Sequence, residues 1–111
     1  MRAVQERIVK AFLDIVVLAV LNDDPMYGYQ IIAVIHKKFG VLLSPGSLYP
    51  LLHMLKENKL IESSFQGGKI VYVATSNGKK TFQKVFTEYK TAMQKMENFV
   101  KLKGENSPQT I

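Results

Sequence analysis

The sequence predicts a mainly α-helical chain with one small β-hairpin and a long C-terminal helix. Three observations carry that prediction. Apolar residues recur at spacings of three and four in four separate stretches. A fifth stretch, "ESSFQGGKIVYVAT", has the strand–turn–strand pattern of a hairpin around Gly67-Gly68. Turn formers and helix stoppers, "NDDP" at 22–25, Gly40 and Asn58, fall between the stretches. At 111 residues and 47% hydrophobic content the chain suits one core. The expected organisation is a domain over 1–75, a helix over 76–103 and a flexible polar tail over 104–111.

The first helix is expected from Val4 to Leu21. Ile8, Phe12, Ile15 and Ala19 form one stripe, while Leu13, Val17 and Val20 occupy the opposite side. A helix that is apolar nearly all round must be covered nearly all round. A small three-helix domain covers one side, so the other calls for a second subunit. Asn22 to Pro25 end this helix. Gly28, Ile31, Ile32, Ile35 and Phe39 then make the inner face of a second helix, with Gly28 placed for close approach to a neighbouring helix. Gly40 ends it as a left-handed cap.

Ser44-Pro45 is a helix start, because serine caps free amides and proline lacks the N–H that the first position cannot use. Leu48, Leu51, Leu52 and Leu55 form the buried stripe of this third helix, and Asn58 is its expected left-handed cap. Leu60 and Ile61 open the hairpin. Thr75 or Ser76 caps the last helix, on which Phe82, Val85, Phe86, Tyr89, Ala92, Met93, Met96, Phe99 and Val100 repeat at threes and fours.

Composition narrows the function. Fifteen basic against nine acidic residues give a net charge of +6, with a pI of about 9.6. That favours polyanionic partners, nucleic acid before anionic membrane. The absence of cysteine excludes disulfides, thiol catalysis and cysteine-bound zinc. Two histidines are too few for a metal site. No serine has evident histidine and carboxylate partners, and Gly67-Gly68 has no following helix with which to cradle phosphate. No enzyme, cofactor or metal is expected. The most apolar run, Ile8 to Leu21, is interrupted by Lys10 and Asp14 and is too short to span a bilayer, so the expectation is a soluble, cytoplasmic protein.

With its leucines turned inward, the third helix presents Gly46, Pro50, His53 and Glu57 outward, flanked by Ser47, Tyr49 and Met54. Gly46 holds nothing away from a target, and Ser44, Ser47 and Tyr49 offer hydroxyls to phosphates or base edges. Pro50 leaves the Gly46 carbonyl without a helical donor on a face where solvent or DNA can meet it. Three helices followed by a two-stranded wing are the layout of a winged helix-turn-helix, whose recognition helix enters the DNA major groove. A solvated helix that tolerates Pro50 remains the alternative at this point.

The stretch "LAVLNDDPMYGYQIIAVIHKKFGVLLSPGSLYPLLHMLKENKLI" resembles the DNA-binding region of the PadR family of transcriptional regulators. The similarity rests on Pro25, Gly28 and Tyr29, then on Ser44, Pro45, Gly46, Leu48, Tyr49 and Pro50, and covers about residues 8 to 82. The single long C-terminal helix is similar to the family's short subgroup. The resemblance implies a homodimeric winged-helix repressor whose C-terminal helix packs against the partner's N-terminal helix. It further implies a small aromatic effector bound between subunits. Three departures stand out. The wing "FQGGKIVYV" has one charged residue, Lys69, and only Tyr72 of a usual tyrosine pair. Gln30 replaces an acidic residue, and Asn58-Lys59 stands where the family often has glycine.

The DNA-contacting set expected from both readings is Tyr29, Ser44, Pro45, Gly46, Ser47, Tyr49, Pro50, His53 and Lys69. The dimerisation set is Phe12, Val16, Val20, Phe82, Phe86, Tyr89, Met93, Met96 and Val100. The expected partners are double-stranded DNA, bound at a palindromic operator, and a second copy of the chain. Phe12, Phe82, Phe86, Tyr89 and Met93 are the candidate effector lining. Two other readings share the fold: a module that docks on protein through its apolar first and last helices, and a nonspecific DNA coater.

Overall fold

The apolar periodicity of the first twenty residues forms two helices, α1 (Arg2–Ala11) and α2 (Leu13–Asp23), where one from Val4 to Leu21 was expected. Phe12 between them has φ −110° and ψ 27°, outside helical values. The Asp14 carboxylate accepts from the Ile15 amide at 2.8 Å, which draws that amide away from the ladder. Amides of Phe12 and Val16 still donate to Ile8 and Phe12 carbonyls at 3.1 Å, so the axis carries across the break. The structure, a computed structural model, describes residues 2–106.

Pro25 stops the helical path, and Met26–Tyr27 form a short strand, β1, that the sequence did not disclose. Helix α3 (Gly28–Phe39) follows at once, its start fixed by the Tyr27 amide donating to Gln30 Oε1 at 3.0 Å. It ends at Gly40, φ 69°, whose amide donates to the His36 carbonyl at 2.9 Å. Ile31, Ile32 and Ile35 are buried. Phe39, expected on the same face, is 43% exposed, and Val41 and Leu43 of the following loop are buried in the core instead.

Helix α4 (Pro45–Glu57) starts as expected, with Ser44 Oγ accepting from the Ser47 amide at 3.2 Å. Leu48, Leu52 and Leu55 are buried, and Leu51 is half-buried. Its exit corrects the sequence reading. Asn58 has φ −82°, and Lys59, φ 62°, takes the left-handed position. The Leu60 amide then donates back to the Leu55 carbonyl at 2.9 Å. The wing comprises β2 (Ile61–Gln66) and β3 (Lys69–Ala74), joined by Gly67 and Gly68, both at positive φ as a tight hairpin requires. β1 pairs with the outer edge of β3, Met26 opposite Tyr72 and Tyr27 opposite Val71, so the expected hairpin is a three-stranded antiparallel sheet in the order β1-β3-β2.

Helix α5 (Ser76–Asn106) is capped by Thr75, whose Oγ1 accepts from the Gly78 amide at 2.9 Å and donates to the Lys59 carbonyl at 2.8 Å. The Thr75 amide donates to the Leu60 carbonyl at 3.0 Å. The helix runs past 103 into the expected tail, and the remaining tail residues, 107–111, lie outside the described residues. One core joins Val9, Leu13, Val17, Leu18 and Leu21 to the buried faces of α3, α4 and the sheet. The opposite side of α2 is partly covered by α5 of the same chain, with the Phe12 and Tyr89 rings edge-to-face at 4.6 Å. Beyond that contact α5 projects from the domain, and the molecule measures 62 × 27 × 20 Å. Among the described residues no helix is long and apolar enough to cross a membrane.

The joint between the wing and α5 makes two opposed predictions. Lys59→Gly removes a left-handed non-glycine residue and should raise unfolding free energy by about 0.5–1 kcal/mol. Gly78→Ala places a Cβ against the Leu60 carbonyl and should lower it by about 1–3 kcal/mol, despite alanine's better helix propensity. Urea titration of each variant measures both.

Candidate nucleic-acid interface

Burial of Leu48, Leu52 and Leu55 leaves Ser44, Pro45, Gly46, Ser47, Tyr49, Pro50 and His53 together on the exposed face of α4. The helix passes through Pro50 without interruption. Ser44 and Ser47 are not independent hydroxyls: their Oγ atoms lie 3.2 Å apart, and Ser44 also caps the helix. They present one polar unit at the N-terminus of α4. His53 Nε2 pairs with Glu57 Oε1 along the same face, so the C-terminal half carries a carboxylate as well as an imidazole.

Tyr49 is 38% exposed and lies across α3. A Cβ on Gly28 would overlap its hydroxyl, so the close approach expected of Gly28 is made, and to this side chain. Tyr27, Gly28, Tyr29, Tyr49, Lys69 and Ile70 line one open groove of 430 Å³. It brings the exposed Tyr29 and the wing's Lys69 beside Tyr49 of α4. The Lys69 ammonium stands 4.2 Å from the centre of the Tyr27 ring. Tyr27 and Ile70 are the groove residues the sequence reading missed. Tyr27 reaches Lys69 only because β1 pairs with β3, a long-range register with no local signal.

Tyr72 is buried on the inner face of β3. Burial pushes its phenol above the ordinary value of 10, with a smaller push from neighbouring Tyr49.

The expected dimerisation residues divide among three places. Phe12, Val16, Phe82, Phe86, Tyr89 and Met93 line an apolar cavity of 290 Å³ between the first two helices and α5. In it Phe82 and Phe86 stack at 6.0 Å, and the Tyr89 hydroxyl donates to Asp14 Oδ1 at 3.5 Å. Val20 faces a second groove, shared with Val16, Val34 and Phe39. Met96 and Val100 stand exposed on the projecting part of α5, with Phe99 and Leu102. Among the described residues, no group of three or more His, Cys, Asp or Glu could hold a metal ion.

The model of the PadR-like family of transcriptional regulators matches residues 17–84. No curated protein sequence matches the chain. Among solved structures, the chain is similar to a transcriptional regulator from Clostridium thermocellum, with TM-score 0.78 and 22% identity over 85% of this chain and 95% of that one. It is also similar to a PadR-like transcriptional regulator from Bacillus cereus, with TM-score 0.75 and 24% identity over 85% and 96% of the two chains. A PadR family transcription regulator from Clostridium difficile gives TM-score 0.74 and 22% identity over 80% and 98%. At these identities the structural likeness shows the fold.

The raised Tyr72 pKa ties stability to alkaline pH. The folded state holds this proton more tightly than the unfolded state, so the contribution is complete below about pH 10 and declines as pH rises through that value. Tyr72→Phe should therefore show a shallower loss of stability between pH 9 and 11 than the parent chain, measured by denaturant unfolding across that range.

Proposed function

This chain belongs to the PadR-like family of transcriptional regulators, and from that premise we propose that it is a repressor acting as a homodimer on a palindromic operator. It is a DNA-binding transcription regulator and not an enzyme. The observation that carries the finer reading is the face shared by α4 and the wing. Seven residues of the α4 segment are exposed along the helix, and one of them, Tyr49, shares a groove with Tyr29 and Lys69. Tyr29, Ser44, Pro45, Gly46, Ser47, Tyr49, Pro50, His53 and Lys69 are the proposed DNA contacts. The helix N-terminus and the serine pair suit phosphate, and Tyr49 and His53 suit base edges.

The second subunit is supported by α5. Phe86, Met96, Phe99, Val100 and Leu102 are each between 46% and 61% exposed, a run of large apolar side chains that water does not favour. A partner chain seated on this run, on Met93 and on the flanks of α2 at Phe12, Val16 and Val20 would set two copies of α4 about one helical turn apart, in successive major grooves. The 290 Å³ cavity, walled by Phe12, Phe82, Phe86 and Tyr89 rings, supports a planar aromatic effector there.

A second reading, docking on protein through the apolar helices, is favoured by the near-neutral recognition face, with its one wing lysine and Glu57. Salt separates the two: duplex binding falls steeply with added salt, whereas apolar docking loses little.

Selection of random duplexes on the purified chain tests the main reading. An enriched palindrome with half-sites one turn apart is the expected result, and DNA retained without a motif would replace the operator with nonspecific coating. Tyr49→Ala should weaken binding to the selected duplex about tenfold while sedimentation still shows a dimer. Normal binding by that variant would overturn the placement of α4. Thermal stabilisation by some member of a panel of planar aromatic compounds is the expected sign of an effector, and no response across the panel counts against one.

A further inference from the structure

The wing carries the most exposed large apolar side chain on the molecule's described surface, and no packing role accounts for it. Phe65 is 75% exposed at the end of β2, and Ile70, directly opposite in register on β3, is 51% exposed. Residues directly opposite in an antiparallel pair share a sheet face. The pairs nearer the domain on that face, Ile61 with Ala74 and Ser63 with Tyr72, cover the core, and Phe65 with Ile70 continues the face past the core's edge. Ile70 also lines the groove with Tyr29 and Tyr49. The apolar tip thus adjoins the proposed DNA-contacting surface through Ile70.

The tip is also narrow and carries a single charge. Gly67 and Gly68 place no side chain at its end. Two paired strands lie about 4.8 Å apart, which makes a bare turn the thinnest end a hairpin can offer to a minor groove about 6 Å wide. Lys69, the one basic residue there, has its ammonium drawn over the Tyr27 ring. A phosphate clamp needs cations at the tip. A wedge needs an apolar side chain that can enter between base pairs.

Resting on the DNA-binding reading above, we infer that Phe65, backed by Ile70, is a minor-groove wedge that partly unstacks a base step beside each half-site and kinks the duplex. Its specificity is for deformability. Easily unstacked pyrimidine–purine steps are preferred at positions that no hydrogen bond reads.

The test uses the full chain and a 30-base-pair duplex recovered by selection on it, with a fluorophore at each end and 2-aminopurine placed in turn at the steps flanking the half-sites. The expected result is closer duplex ends and brighter 2-aminopurine at one flanking step on binding. Phe65→Thr, which keeps strand propensity, should abolish both signals and weaken binding about tenfold, while Phe65→Leu should keep most of each. If Phe65→Thr matches the parent in affinity, end-to-end distance and 2-aminopurine signal, the wedge is wrong although DNA binding stands. Weaker binding with no bend in the parent would make the tip a passive contact and overturn the wedge. A change in oligomeric state alone would make it a contact between copies. A parent chain that retains no duplex removes the DNA-binding reading itself, and the wedge with it.

Discussion

The Leu60 carbonyl is the point on which the arrangement of this molecule turns. It accepts from the Thr75 amide, and Gly78 lies so close that a methyl group would not fit. One residue back, the Lys59 carbonyl accepts from the Thr75 hydroxyl, which in turn caps α5. The Leu60 amide closes the end of α4 through Leu55. Three elements therefore meet over a few atoms: α4 ends, the wing begins and returns, and the long helix starts. The contact is made of backbone and short side chains, which rotate little, so the angle between α4 and α5 is defined by hydrogen bonds as well as by side-chain packing. Lys59 at positive φ is the strain that this closure tolerates.

The charge is placed away from the proposed reading surface, the exposed face of α4. Between 76 and 106 lie seven of the fifteen basic residues and three of the nine acidic ones, so most of the +6 belongs to α5. The exposed face of α4 offers hydroxyls, rings, two prolines and a histidine paired with a carboxylate. In the proposed reading, attraction to a polyanion and discrimination among sequences fall to different elements. Long-range attraction needs only net charge, while discrimination depends on shape and hydrogen bonds at close range.

The sequence was legible where local chemistry decides structure. The Ser44 cap, Pro45 at the first helical position, the Gly40 terminus, the Gly67-Gly68 turn and the Thr75 cap all follow from backbone needs within a few residues. The buried leucines of α4 fixed its outward face, and with it most of the proposed contact set. What was not legible depends on distant partners. β1 exists because Met26 and Tyr27 find an open edge on β3, more than forty residues away in sequence. The break at Phe12 depends on Asp14 taking an amide, which periodicity does not record. Gly28 was read as a site of close approach, but its neighbour, Tyr49, emerges only when α3 and α4 are packed. The second apolar side of the first helix was read as a subunit surface, and α5 of the same chain covers part of it.

Helix α5, at 31 residues, extends about 46 Å from the joint at Thr75. A rigid rod of that length is a lever. Each degree of rotation at its base displaces its far end by about 0.8 Å. About seven degrees would carry the far end roughly one helical turn, 5.4 Å, and out of register with whatever it packs against. Alignment at the tip therefore sets an angular tolerance at the base, and the short hydrogen bonds around Leu60 and Thr75 are the bearing that holds it.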